Sequence, residues 1–471
     1  MRAMEDDRLL SDSSYESIPE KSFGSQLAEE KDFAKATRKG AFFNVSNCAV
    51  GAGILSLPYA FETMGLVQAV LIFTIFAIVT CITLQILPLC AKAAGVDSYE
   101  KLVEFSFGKL VGKLFQVIII LYSFGVIVGY IVIVGDLIPP LIAAWAGEDN
   151  PSDHWYYSKQ FYQVLVTICI LFPLSLLKRL DSLKFASMFA LCSVVYFTLL
   201  VVVEAGIDYT NYKDTGEVAA TDESIADSIV WWNWSTDIFL GIPIMAFAFG
   251  GHLQAISIYC ELHPAYRTLK NWNIIAICAV IFLSTIYLIV GGLSYLRFLP
   301  GEDGNVLEQM IAAEPSSVQI QIASLAMSVV VILSFPLFTW PIRFSLDRLL
   351  FPNSISIYDT SLESRTWKVK VRFYVLTVII VGVALLIATL VGSLEVVFGL
   401  TGATGGALIK FIFPVLCYWK VGPLYREKFT NHQNTALPIW QKIILIFVFI
   451  VSCIVGTISS ATVLIDAWKS M

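Results

Sequence analysis

Ala41-Phe-Phe-Asn-Val-Ser-Asn-Cys-Ala-Val-Gly-Ala-Gly-Ile-Leu-Ser-Leu-Pro58 reads as an apolar span interrupted near its middle. Asn44, Ser46 and Asn47 are polar groups deep in the run. Gly51 and Gly53 follow, and Pro58 comes a turn or so later. In a bilayer every backbone N–H and C=O needs a partner, so irregular backbone survives only where it lines a cavity or meets a ligand. A second interruption, Phe249-Gly250-Gly251, falls five spans later in Ile242-Pro-Ile-Met-Ala-Phe-Ala-Phe-Gly-Gly-His-Leu-Gln254. Interrupted spans at corresponding places in two halves of a chain point to the binding site of a secondary transporter.

The rest of the chain agrees with a membrane reading. Its 471 residues are 57% hydrophobic and 14% charged, against roughly 25% charged in soluble proteins. Apolar runs near the roughly 20 residues needed to cross hydrocarbon predict eleven transmembrane helices, an all-α integral membrane protein. They are expected at 40–62, 66–91, 113–140, 161–177, 185–206, 236–259, 272–296, 318–342, 372–392, 395–419 and 438–464. Gly392-Ser393 separates the ninth from the tenth. A single helix over both would be far too long, so a tight outer turn is predicted there. The expected organisation is a disordered cytosolic tail over 1–38, a five-helix unit over 39–206 and an acidic outer loop over 207–235. A second five-helix unit covers 236–419, and a cytosolic loop with the last helix covers 420–471.

Lys and Arg positions orient this topology. With the N-terminus in the cytosol, 26 of the 31 basic residues fall on the cytosolic side. Only Lys159, Lys213, Arg297 and Lys469 fall opposite, and Lys410 lies within a span. Such a bias is what the positive-inside rule requires. No cleavable leader is visible over 1–38, so the first span is expected to serve as its own insertion signal. Within the tail, Glu5-Asp6-Asp7-Arg8-Leu9-Leu10 and Tyr15-Glu16-Ser17-Ile18 look like dileucine and tyrosine sorting signals. They point to sorting adaptors as partners and to an endosomal, lysosomal or vacuolar membrane, with the plasma membrane as the other destination.

Several further features read as structural. Ser98–Lys113 mixes apolar and charged residues as an interfacial amphipathic helix would. The outer loops are acidic, which follows in part from their lack of Lys and Arg. Asn233-Trp234-Ser235 is a glycosylation sequon lying too close to the sixth span for easy modification; Asn44-Val45-Ser46 is another, inside the first. The nine cysteines lie in or at the edges of spans, as small packing residues do. Four scattered histidines give no metal spacing. Glu62, Glu204, Glu261 and Glu395 fall at span ends, where they are expected to reach water.

The chemistry follows from the breaks. Unwinding at 50–53 releases carbonyls at the end of one half-helix and amides at the start of the next. Carbonyls suit a cation; amides at the positive dipole end suit a carboxylate. Phe247 and Phe249 are expected to supply aromatic walls, and His252 is a candidate for substrate contact or proton coupling, or a packed histidine. Ser334 in Leu333-Ser-Phe-Pro336 offers a hydroxyl beside a carbonyl that Pro336 frees. Asp136 and Lys410 are the charges that stand out inside spans, candidates for coupling. Lys410 lies about ten residues from the end of its span; it would snorkel, pair with a carboxylate, or occupy the space of a cation.

Taken together, these stretches resemble the amino acid/auxin permease superfamily, in particular its sodium-coupled neutral amino acid transporters and its vacuolar and lysosomal transporters. The motifs are Asn44–Ala60, Phe247-Ala-Phe-Gly-Gly-His-Leu-Gln254, Tyr259-Cys-Glu-Leu262, Leu333–Pro336, Pro341-Ile-Arg343 and Gly402–Pro414. The resemblance covers essentially everything after the tail. It implies the LeuT-type fold, five helices and five inverted ones plus an added span. It further implies a cation site at Asn47, the Val50 carbonyl and Ser334. Ser46, Ala52, Gly53 and the carbonyls of Phe247, Ala248 and Phe249, with His252, would hold the substrate.

The expected function is secondary active transport of small neutral L-amino acids by alternating access. Na+ or H+ is the coupling ion and no other cofactor is implied. Amino-acid substrate and membrane lipid are the expected partners, and no nucleic acid. A membrane amino-acid sensor signalling through its tail is the alternative. No span pairs a nucleophile with a base, which speaks against an enzyme.

Overall fold

In the computed structural model the described chain is mostly helical. The structure describes residues 36–147, 154–177, 184–215, 229–298, 304–352, 354, 356–358, 367–429 and 439–470. The two sorting signals lie outside the described residues. We number the helices α1 (Arg38–Ala49), α2 (Leu57–Met64), α3 (Leu66–Ala94), α4 (Tyr99–Ala146), α5 (Lys159–Ser175) and α6 (Lys184–Thr215). There follow α7 (Ile238–Ala248), α8 (His252–Glu261), α9 (Leu269–Phe298), α10 (Val306–Ala313) and α11 (Val318–Leu350). The last are α12 (Trp367–Val391), α13 (Leu394–Tyr425) and α14 (Ile439–Ser470). Among the described residues eight helices are long and apolar enough to cross a membrane, counting α7 with α8 as one span. The pair formed by α1 and α2 makes nine. Lys159–Ser175 and the Ser452–Ile465 part of α14 are shorter apolar helices.

Local chemistry sets the boundaries. The Thr37 side chain caps α1 by accepting from the Gly40 N–H, and the Ser98 side chain caps α4 by accepting from the Lys101 N–H. Gly95 ends α3 in the left-handed region at φ 71°, where a glycine has no Cβ penalty. Gly108, at φ 85°, bends α4 between its first turns and the span proper. The expected interfacial segment is therefore the start of α4. Its Leu102 and Val103 are buried and its Phe105 and Leu110 are exposed. Gly392-Ser393 forms the tight turn between α12 and α13.

Both predicted interruptions are present. α1 stops where Val50 turns extended, and a short 3-10 turn at Ala52–Ser56 leads into α2, bent by 50° from α1. α7 stops at Phe249, and Gly251 at φ 96° starts α8. The two broken spans run antiparallel and are fastened together at both ends. At one face the Leu66 N–H donates to the Val230 carbonyl and the Asn233 N–H to the Met64 carbonyl. At the other, Ala36 and Leu262 form an isolated parallel bridge, with the His263 N–H donating to the Ala36 carbonyl. The pair therefore has an Ala36 face and a Met64 face.

One expectation changes. Glu204 does not reach water: it is buried in an ion pair with Arg297, which also meets Asp208 and Glu314. Burial of the guanidinium is tolerated because three carboxylates surround it. The Asn233 amide of the sequon donates to the Thr63 carbonyl, a role in joining the broken spans. The nine cysteines are all free.

Candidate substrate and cation site

The breaks open into a cavity of about 580 Å³. Asn47, Gly51 and Gly53 from the first break and Phe247, Ala248 and Gly250 from the second line its inner end. Tyr122 and Tyr130 of α4 and Ser334 and Phe338 of α11 form its sides. Its mouth carries Asp97, Glu100, Lys101, Glu261 and Arg348, all at the Ala36 face. Burial there pushes the Glu100 carboxyl above its ordinary value, against the charges of Arg348 and Lys101.

Toward the Met64 face the same breaks are covered. Phe61 is fully buried and packs so closely on α9 that a Cβ on Gly291 would lie 2.6 Å from its ring. The short helix α10 packs against the 3-10 turn at Ala52–Ser56 and against α4. Among the described residues the cavity is thus open at the Ala36 face and covered at the Met64 face.

Close helix approach explains the glycines at the inner end. A Cβ on Gly53 would stand 3.1 Å from the Phe247 ring and 3.2 Å from the Ala248 Cα. One on Gly250 would stand 2.8 Å from the Cys48 carbonyl oxygen. The half-helix α1 ends in carbonyls, as does α7, while α8 begins in amides. These ends carry opposite partial charges, and the cavity meets both kinds at the depth of the breaks.

The candidate residues divide into those at this cavity and those elsewhere. Asn47 lines it, and its amide also donates to the Ser187 hydroxyl of α6 at 3.0 Å. Ser334 lines it as well, and Val50 is the extended residue that ends α1. Gly53, Phe247 and Ala248 line it; Ala52 is the first residue of the 3-10 turn. Ser46 is fully buried and its hydroxyl has no hydrogen-bond partner, but it stands off the cavity wall. The Phe249 ring points away from the cavity and packs against Phe73 and Tyr287. Residues two apart on a helix do not share a face, so of the two expected aromatic walls only Phe247 serves. Its ring stacks on Phe398 at 4.2 Å.

His252 starts α8 with its Nε2 2.9 Å from the Thr83 hydroxyl. It lines a second, far smaller space shared with Lys410. Lys410 does not snorkel. Its side chain is buried and its ammonium donates to the Phe247 carbonyl at 2.7 Å and the Ala246 carbonyl at 3.0 Å. Asp136 is absent from this region. It is buried beside α10, where Lys159 reaches it at 3.2 Å and the Asn305 amide donates to it at 3.2 Å. Lys159 also meets Glu308 of α10 at 2.6 Å, so this cluster braces the covered face.

Sequence reasoning passed over three tyrosines. The Tyr287 hydroxyl lies within hydrogen-bond distance of the Ala49 and Ala248 carbonyls, and the Tyr130 hydroxyl stands beside Gly51. Tyr122 sits under the Lys410 ammonium. Their only signal is the phenol itself, because a buried Tyr hydroxyl seeks a partner.

Residues 34–463 match the model of a family described as transmembrane amino acid transporter proteins. The chain is similar to the Arabidopsis thaliana amino acid transporter AVT6A, 27% identical over 88% of this chain and 86% of that one. It is also similar to the Homo sapiens sodium-coupled neutral amino acid transporter 4, 25% identical over 86% of this chain and 81% of that one. A solved Na+-coupled sialic acid symporter, substrate-bound and outward-open, superposes with a TM-score of 0.54 at 12% identity, covering 93% of this chain and 91% of the other. That likeness shows the fold, which is the LeuT type.

Proposed function

Because the chain belongs to the transmembrane amino acid transporter family, we propose that it carries small neutral L-amino acids across a membrane with Na+ or H+, by alternating access. The observation that carries this reading is the antiparallel pair of broken helices, whose oppositely polarised ends meet a cavity that opens, among the described residues, at the Ala36 face. The zwitterion's carboxylate fits the amide end of a half-helix, and its ammonium fits the carbonyl end. Phe247 borders the side-chain space, and among the described residues no charged side chain lines the inner end of the cavity, which suits a neutral side chain. Asn47, the Val50 carbonyl and Ser334 form the candidate cation site. The units 39–206 and 236–419 act as the two inverted halves, with the last helix added to the ten.

The Lys and Arg distribution assigns the Ala36 face to the cytosol in this reading. The cavity then opens inward, and α10 with the Asp136–Lys159–Glu308 cluster closes the outer side. The tail motifs support residence in an endosomal, lysosomal or vacuolar membrane.

Uptake of a labelled amino-acid panel into proteoliposomes tests this, with Na+ and pH gradients imposed separately. At least one small neutral amino acid should accumulate against its gradient and be competed by its unlabelled form. Absence of uptake for the whole panel, in folded protein, would overturn the reading. One observation favours a sensor as the second reading: the Ala36–Leu262 bridge joins the N-terminal segment to the end of α8. Loss of signalling with full uptake on deleting residues 1–35 would support it.

A further inference from the structure

Lys410 is a costly group to bury in the membrane interior. A buried charge must be repaid by partners, and among the described residues no charged partner faces this ammonium. What faces it is two carbonyls, at 2.7 and 3.0 Å, and two aromatic rings. The Tyr122 and Phe247 centroids lie 5.2 and 5.3 Å away. The carbonyls belong to Ala246 and Phe247, in the last turn of α7, where helix geometry leaves them without intrahelical donors. Lys410 itself lies on one of two π-helical turns in α13, Gly402–Gly406 and Leu408–Ile412. Such turns are frequent at functional sites.

Among the described residues α3 and α14, which pack on the Leu408–Ile412 turn, place no charged group against the ammonium, and the titratable groups at this space come from three other elements. α8 contributes His252, α4 contributes Tyr122 and Tyr99, and α1 contributes Cys48. None is a carboxylate. The space bounded by Lys410, His252, Tyr122 and Cys48 is about 10 Å³, room for about one water. Tyr122 and Cys48 also line the large cavity, so this space adjoins the route to the cytosolic face.

We propose that Lys410 is the proton site of the transporter: its ammonium, seated on the Ala246 and Phe247 carbonyls, fixes the end of α7 in the form that receives substrate. This deepens, and rests on, the transport reading above. Charge-assisted hydrogen bonds are roughly twice as strong as neutral ones, and the ring contacts require the cation. The N–H bond that breaks on deprotonation leaves a neutral amine and passes one proton to water in the adjoining space. The amine holds the carbonyls less firmly, and the end of α7 is freed. Substrate and proton therefore bind cooperatively and travel in the same direction, without Na+. Linkage requires the converse as well: bound substrate must favour the protonated lysine.

The test uses the full chain in proteoliposomes with an entrapped pH dye and a neutral amino acid that the wild type carries. In choline buffer, a pH gradient acid outside should raise initial uptake at least tenfold over equal pH, and the dye should acidify with substrate entry. Replacing choline by Na+ should change that rate less than twofold. Lys410→Met and Lys410→Arg should both bring the gradient ratio close to one, whatever their residual rates. Arginine keeps a cation near the carbonyls but does not release its proton, so it decides the matter if the methionine variant fails to fold. A wild type that responds to Na+ but not to pH, or a folded Lys410 variant that keeps the wild-type ratio, would overturn the proposal while leaving transport intact. No uptake under any gradient would instead remove the transport reading itself.

Discussion

The Tyr287 hydroxyl lies 2.8 Å from the Ala49 carbonyl oxygen and 3.1 Å from that of Ala248. One side chain of α9 thus serves the carbonyl ends of both half-helices, and the one hydroxyl proton is shared between them. Tyr287→Phe should keep the packing and lose this link. A lost bond to a buried carbonyl costs about 1–3 kcal/mol. The variant should melt several degrees lower in detergent, and initial uptake should fall by about five- to thirtyfold if about 1–2 kcal/mol is lost from the rate-limiting step. Unchanged melting and uptake would show that the phenol is incidental.

Gly53 separates α1 from α7. Gly53→Val should abolish uptake while the protein still inserts and runs as a single species on gel filtration. The obstruction comes first from the Phe247 ring and the Ala248 backbone, 3.1 and 3.2 Å from the new Cβ. Gly53→Ala asks for a shift of a few tenths of an ångström and should retain part of the activity. Equal activity in both variants would argue against close approach as the cause.

Gly402 is packed harder still. A Cβ there would fall 2.0 Å from the Pro243 carbonyl oxygen, a backbone atom with no rotamer to give. Gly402→Ala should therefore lower stability by about 1–3 kcal/mol, the usual cost of overpacking, read as a reduced midpoint in thermal unfolding. A neutral outcome would mean that α7 and α13 move apart freely.

Lys159 bridges Asp136 of α4 and Glu308 of α10. Lys159→Met leaves two carboxylates facing each other across that joint, and like charges repel. Hydrogen exchange in Val306–Ala313 should quicken at least fivefold, because local opening free energy governs exchange. Asp136→Asn, which leaves the Lys159–Glu308 pair intact, should have the smaller effect. The reverse order would assign the bracing to Asp136.

How far the sequence speaks depends on whether a signal is local. The breaks at Gly51–Gly53 and Gly250-Gly251 are legible because glycine inside a long apolar run marks released backbone. The Gly392-Ser393 turn is legible from helix length alone. Asp136 is different: a single carboxylate in an apolar run carries no mark of the partner that will meet it. Its amide donor, Asn305, is 169 residues away. Lys410 is legible as an anomaly but not in its role, since its partners are carbonyls and every residue has one. Phe249 misleads for a geometric reason, because alternation in sequence is not adjacency on a helix. Tyr287 lies in an apolar run without a motif, and only the packed fold brings it to both breaks.

At the Ala36 face, the start of α1 and the finish of α8 exchange main-chain hydrogen bonds, Ala36 N–H to the Glu261 carbonyl and His263 N–H to the Ala36 carbonyl. Neither half-helix can swing there without taking the other along. The two form one lever, and whatever tilts α8 also tugs the chain immediately ahead of Arg38.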